Sequence, residues 1–298
     1  MGKLLSVFVL MGAFAMFTMA QADPATYRIY TAKGLPATLA DIARAIDAAD
    51  VAFLGEFHDD SVGHALQFEI YKAAVERHAG KRPVVLSLEM FERDVQVVLD
   101  EYLKGLISEA HFMSSSRPWG NYKTDYRPLV ELAKEKRLPV VAANAPRRYV
   151  NMVSRGGRGS LNGLSKEARK WLAPLPYNEA SEAYSKKFKA LMGSSAEAMM
   201  GIDNILSSQS LWDATMAYWI SQALKKHDDA LVIHLNGGFH TEQRLGTVEH
   251  LMKYRKKAKA VVVNLRYEKD FKTFDAAKYT DSGDFVVLTD AAQPRSKR

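Results

Sequence analysis

The side chains able to do chemistry in this sequence fall in four polar clusters, each directly after a short apolar run. Glu56 and His58 follow Asp50–Gly55, and Glu89 follows Pro83–Leu88. Asn144 and Arg147 follow Leu138–Ala143, and Asn236-Gly237-Gly238-Phe239-His240 follows Ala230–Leu235. On an extended tail Glu56 and His58 point to the same side. His64, six residues beyond His58, can fold back toward them. A histidine beside a glutamate is an acid/base pair. Two carboxylates and two imidazoles, Glu56, His58, Glu89 and His240, are also a first shell for a divalent metal. Arg147 can clamp a carboxylate or phosphate with both arms of its guanidinium. Each cluster has a plainer alternative: Glu56 and His58 as a helix cap and turn, Arg147 as a solvated arginine, Gly237 and Gly238 as turn residues. His234, inside its apolar run, reads as a hydrogen-bonded core histidine.

What must position these groups is a sheet. The four apolar runs, with Ala260–Leu265 and Phe285–Leu288, are short and bounded by polar residues, as buried strands are. Helical spacing predicts helices after Thr38, from Asp60 to His78, over Asp94–Leu103, Tyr126–Lys136 and Ser210–Leu224. Strands alternating with helices predict an α/β fold, a mostly parallel central sheet with helices on both faces. In such a sheet all strand carboxyl ends open onto one edge, where ligands bind, so four separate segments converge there. Residues 155–205 read as a helical insertion over those strand ends. Tyr177, Tyr184, Met192, Met199 and Met200 fall within it. Tyrosine oxygen and methionine sulfur both ligate haem iron; ordinary packing is the alternative. Arg155–Ser160 reads as a glycine-rich loop without the strand, helix and Lys-Ser/Thr context of a P-loop. No Gly-x-Gly-x-x-Gly fingerprint and no Gly-x-Ser-x-Gly elbow is present.

The chain has 298 residues, 47% of them hydrophobic, with 41 Lys+Arg against 34 Asp+Glu and no cysteine. That length suits one α/β domain. Without cysteine there is no disulfide, no thiolate nucleophile or metal ligand and no acylated cysteine. The net charge of +7 is spread along the chain. It suits an anionic small molecule or peripheral contact with an anionic membrane surface, and nothing in it marks a nucleic-acid site. Residues 1–22 read as a signal peptide: Lys3, an apolar run from Leu4 to Phe17, then Ala20-Gln21-Ala22. The expected mature chain is residues 23–298, periplasmic or secreted. The basic tail from Pro294 to Arg298 reads as a solvated, frayed end.

Several of these residues together resemble a known family. Leu54-Gly55-Glu56-Phe57-His58-Asp59, His64, Gln67, Glu89, Trp119, Tyr126, Pro128, Asn144-Ala145-Pro146-Arg147, Gln209, Trp212-Asp213 and Asn236–His240 resemble the ChaN-like family, the haem-binding-uptake branch of the superfamily that includes Tiki, TraB and erythromycin esterase proteins. The resemblance spans roughly residues 36–268. It implies haem binding linked to iron uptake, a homodimer enclosing the cofactors and a tyrosinate on the iron. For that tyrosinate Tyr177 and Tyr184 are the candidates by their place in the insertion. It also implies an old hydrolytic centre at Glu56, His58, His64, Glu89, Arg147 and His240, acting on esters or amides. The chain departs from the family pattern in lacking a cysteine to acylate, and in carrying Met192-Gly193-Ser194 where many relatives carry a Gly-His pair.

Overall fold

A computed structural model describes residues 21–193 and 201–297. Eight strands form one sheet: β1 Tyr27–Thr31, β2 Pro36–Ala37, β3 Val51–Glu56, β4 Val84–Glu92, β5 Val140–Asn144, β6 Leu231–Gly237, β7 Ala260–Glu268 and β8 Phe285–Asp290. Their order is β2-β1-β8-β7-β3-β6-β4-β5. The six strands from β8 to β5 are parallel, while β1 is antiparallel to β8 and β2 to β1. The alternation of a buried strand is visible within β3. Ala52 and Leu54 join the core on one face with Leu66, Ile70 and Tyr71 of α2 (Ser61–His78). Val51 and Phe53 join Ala217 and Ile220 of the long helix Ile202–Lys226 on the other. Both faces are therefore covered, which is why these strands are almost continuously apolar.

The chain leaves β3 for β4 and β5 on one side and returns through β6, inserted between β3 and β4, before continuing to β7 and β8. Strand order reverses around β6, and such a reversal opens a crevice at the strand carboxyl ends. The three central strands β3, β6 and β4 end there in Glu56, Gly237 and the segment from Glu89.

The two sheet edges are blunted, as exposed edges must be. β2 has two residues, one of them Pro36. β5 is closed by a side chain: Gln96 Nε2 donates to Val140 O at 2.9 Å, and Ala142 N donates to Gln96 Oε1 at 2.8 Å. Gln96 thus imitates one residue of a further strand. Gln96→Ala should cost about 1–3 kcal/mol through the unpaired β5 groups and should raise aggregation on heating. Urea denaturation and light scattering check both; an unchanged midpoint contradicts the edge role.

Several expectations need correction. All six apolar runs are strands, within two residues at each end except that β4 runs on four residues to Glu92 and β7 three to Glu268, and Tyr27 opens the short antiparallel entry. The helix expected at Asp94–Leu103 is a 3-10 turn, Arg93–Val95, followed by Gln96–Leu103, and a further helix spans Glu109–Ser116. Arg155–Ser160 is not a loop: helix Arg147–Gly156 runs into it and a 3-10 turn, Arg158–Gly163, follows, with Gly157 at the break. Among the described residues of the insertion, α-helix is found in Lys166–Arg169, Glu182–Met192 and the start of Ile202–Lys226, while 170–181 are not helical. Met199 and Met200 lie outside the described residues. The tail is held: Ser296 N donates to Asp59 O and Ser61 Oγ to Pro294 O. Ala22, the last residue of the expected signal, is buried, and its N–H donates to Glu69 Oε1. Among the described residues no helix is long and apolar enough to cross a membrane.

Candidate functional site

Glu56 closes β3 and is buried. Tyr126 Oη donates to its Oε1 at 2.6 Å, and His58 Nδ1 lies 2.9 Å from the same oxygen. His64, in the first turn of α2, is fully buried behind them. Its Nδ1 is 3.2 Å from Gln67 Oε1 and 3.4 Å from Glu56 Oε2, and its Nε2 is 3.3 Å from His58 O and 3.4 Å from Asp125 Oδ2. Both ring nitrogens face only acceptors, an arrangement satisfied in full by the imidazolium, which carries two donors. Burial opposes that charge, but Glu56 and then Asp125 hold the His64 pKa up at about 9. Burial likewise works against the Glu56 carboxylate, but His64 and His58 bring its pKa down to about 2. Gln67 is fixed in turn by donating to Leu54 O, and Asn121 by donating to both His58 O and Asp125 Oδ2.

A second cluster lies at the ends of β4 and β6. Glu89 is the first residue past the β4–β6 ladder, which ends at Leu88. Its Oε2 accepts the Gly237 N–H at 2.6 Å, and its Oε1 lies 3.9 Å from His240 Nε2. His240 Nδ1 is 2.8 Å from Asp213 Oδ1, which also accepts from Thr247 Oγ1 at 2.7 Å. Burial opposes the His240 charge; Asp213 and Glu89 overcome it and raise its pKa to about 9. Asp213 is buried in the helix Ile202–Lys226, and its pKa is lowered despite burial because His240 faces it.

The two clusters come together at Gly237. A Cβ there would stand 2.8 Å from the His58 ring and 3.7 Å from Glu89 Oε2, so His58 occupies the space a side chain would fill. The glycine is needed for the imidazole to lie against the backbone.

The site is thus two carboxylate–imidazole pairs, Glu56–His58 and Asp213–His240, with Glu89 beside the second. In both, a carboxylate holds Nδ1 and so orients the ring and strengthens the other nitrogen as a base or ligand. Trp119 stands edge-on to His58 at 4.7 Å and Trp212 edge-on to His240 at 6.2 Å.

The sequence-expected residues are therefore not one shell. Glu56, His58 and His64 form one group and Glu89 and His240 another, with Gly237 against both His58 and Glu89. The metal quartet expected from them divides between the two, and among the described residues no group of three or more His, Asp or Glu side chains is arranged to hold a metal ion. Arg147 is exposed at the start of the helix after β5. Tyr177 and Tyr184 are buried. Tyr177 Oη donates to Ser207 O at 2.9 Å, and Tyr184 packs edge-on against Phe239 at 5.2 Å. Burial raises both phenol pKa values, and Asp213 adds to the rise at Tyr184. His234 is the core histidine expected, paired with Ser87 Oγ at 2.9 Å.

Sequence reasoning assigned no role to Asp213, Asp125, Asn121 or Gln67. Asp213 had a readable signal: a carboxylate between the buried Leu211 and Ala214 in a strong apolar helix needs a charged partner. Asp125 and Asn121 had none, because the segment Tyr122–Tyr126 winds as a π-helix that no apolar period announces.

Fold and site together define an α/β protein with its buried carboxylate–imidazole pairs at the carboxyl ends of its three central strands. The family model described as "Haem-binding uptake, Tiki superfamily, ChaN" matches residues 42–251, and the chain belongs to that family. Among solved structures it is similar to ChaN of Campylobacter jejuni, described with cofacial heme binding, at a TM-score of 0.67 and 20% identity over 90% of this chain and 98% of that one. A succinoglycan biosynthesis protein gives a TM-score of 0.52 at 11% identity, covering 87% of this chain and 92% of the other. An erythromycin esterase EreC mutant in its open conformation gives 0.47 at 13%, covering 81% and 77%. At these identities the likeness is one of fold. No curated protein matches the chain.

Proposed function

We propose that this chain binds haem at the strand-end cleft, with His58 on the iron, and that it serves haem or iron uptake after export. The observation that carries the ligand is exposure. The His58 side chain is 27% exposed, against 10% for His240 and none for His64. With Nδ1 held by Glu56, its Nε2 is the nitrogen left to bind. A neutral imidazole with a carboxylate behind it is a donor suited to haem iron. Haem, when bound, supplies the iron and a flat apolar ring. The chain supplies the oriented imidazole, the indoles of Trp119 and Trp212 flanking the two histidines, and the exposed guanidinium of Arg147 for a propionate. Export rests on the sequence of residues 1–22, read as a signal peptide. Hemin titrated into purified protein should give a shifted Soret band that saturates at a fixed stoichiometry. A spectrum identical to free hemin contradicts the reading.

One observation favours a second reading, ester or amide hydrolysis. The Asp213–His240 pair beside Glu89 is an oriented acid/base group that haem ligation by His58 does not use. Turnover of an aryl ester, abolished in His240→Gln with hemin binding intact, would support it.

A further inference from the structure

We propose that Arg295 and Ser296 are positioning residues for the His58–His64 cluster, acting as a strap from outside the sheet. The proposal rests on contacts of the segment from Pro294 to Ser296 and on no assumption about the ligand.

Each of these residues engages the connection between β3 and α2, which carries His58, or the first residue of α2, the helix that carries His64. The Pro294 carbonyl accepts from Ser61 Oγ at 2.7 Å. Arg295 pairs with Asp60 as an isolated antiparallel bridge, and its guanidinium forks onto the Asp59 carboxylate. The same guanidinium lies 3.5 Å from the centre of the Tyr267 ring on β7. Ser296 N donates to Asp59 O at 2.9 Å. An exposed ion pair alone orders little. Here a forked pair, a cation on an aromatic face and backbone bonds all act within three residues, and they tie the loop to the sheet.

Ser296 reaches further. Its Oγ donates to Asp125 Oδ1 at 3.0 Å. The other oxygen, Oδ2, accepts from Asn121 and faces His64 Nε2. Ser296 therefore settles which oxygen of Asp125 meets the histidine. A path of polar contacts runs from Ser296 through Asp125 and His64 to Glu56 and His58. Asp60, beside the bridge, is fixed independently by Thr289 Oγ1 at 2.7 Å, so the strap closes a loop already anchored at one point.

The test is hydrogen exchange on the full chain without hemin, so that failure of the haem reading leaves it interpretable. In Arg295→Ala combined with Ser296→Ala, amides at 57–64 and 121–126 should exchange about tenfold faster or more, while those of β4 stay as they are, the mark of a local opening. Arg295→Lys should recover part of the protection. Ser296→Ala alone should shift the His64 imidazole resonances in NMR spectra, which a general loosening elsewhere would not do. Unchanged exchange at 57–64 in the double variant overturns the proposal. So does an increase shared equally by β4, or a His64 signal unmoved in Ser296→Ala.

Discussion

Glu56→Leu should unfold at markedly lower urea, with a loss of about 3–5 kcal/mol, because it leaves the buried His64 charge without its counter-ion. The leucine cannot accept from Tyr126 or His58 either, so three donors lose one acceptor. Glu56→Gln should lose less, since its amide oxygen can still accept from Tyr126. The pH dependence carries the signature. His64 has its folded pKa raised from 6.5 to about 9, so its contribution is complete below pH 6.5 and is lost as pH rises through about 9. Glu56 has its folded pKa lowered from 4.5 to about 2, so its contribution is complete above pH 4.5 and is lost as pH falls through about 2. The pair stabilises most between those limits, near pH 4.5–6.5. His240, raised to about 9, and Asp213, lowered, titrate in the same senses. Wild-type stability should therefore fall above pH 7 in two contributions, and Glu56→Leu should keep only that of His240. A variant whose stability and pH profile match the wild type contradicts the ion-pair assignment.

Gly246→Ala should be the most damaging glycine-to-alanine change among the described residues. Gly246 has φ +57° and ψ −118°, outside the left-handed basin that other residues can visit at modest cost. A Cβ there would stand 2.5 Å from His240 O, 2.9 Å from Tyr184 Cε2 and 3.0 Å from Asp213 Oδ1. The first contact is backbone and cannot rotate away. Strain and overpacking each cost about 1–3 kcal/mol, and displacing the His240 turn would also lengthen its bond to Asp213. We expect a loss of about 3 kcal/mol or more with the raised His240 pKa abolished. Gly80→Ala is the control: its φ is +69°, but nothing lies within 4 Å, so it should cost about 1–2 kcal/mol for the backbone alone. Equal losses in the two variants would mean that packing around Gly246 is looser than described.

The sheet was legible because its signal is local. Six buried strands announce themselves as apolar runs bounded by polar residues, and a parallel sheet obliges their carboxyl ends to share an edge. That reasoning placed Glu56, His58, Glu89 and His240 on one rim without any contact being known. It could not say how they pair. Gly237 touches both His58 and Glu89, and the partners on the rim come from other segments, Asp213 from a helix 27 residues before His240 and Asp125 from a turn about sixty residues after His64. The surroundings of the tyrosines were illegible for a related reason. Tyr177 and Tyr184 lie in the insertion as the polar, methionine-bearing stretch suggested, yet whether a phenol faces a cleft or the core depends on helix packing that no periodicity fixes. The tail misled because a run of Pro, Arg, Ser and Lys has the composition of a loose end, while its binding partners, Asp59 and Tyr267, are visible only in three dimensions.

The central claim is that the Glu56-oriented imidazole of His58 is the group left open for iron. The direct measurement is hemin titration of wild type, His58→Ala and Tyr184→Phe, followed by absorption and electron paramagnetic resonance. Wild type and Tyr184→Phe should give a saturable Soret shift with imidazole-type iron signals, and His58→Ala should lose both with the fold retained by circular dichroism. Undiminished hemin binding in His58→Ala, or phenolate-type signals that vanish in Tyr184→Phe, would contradict it.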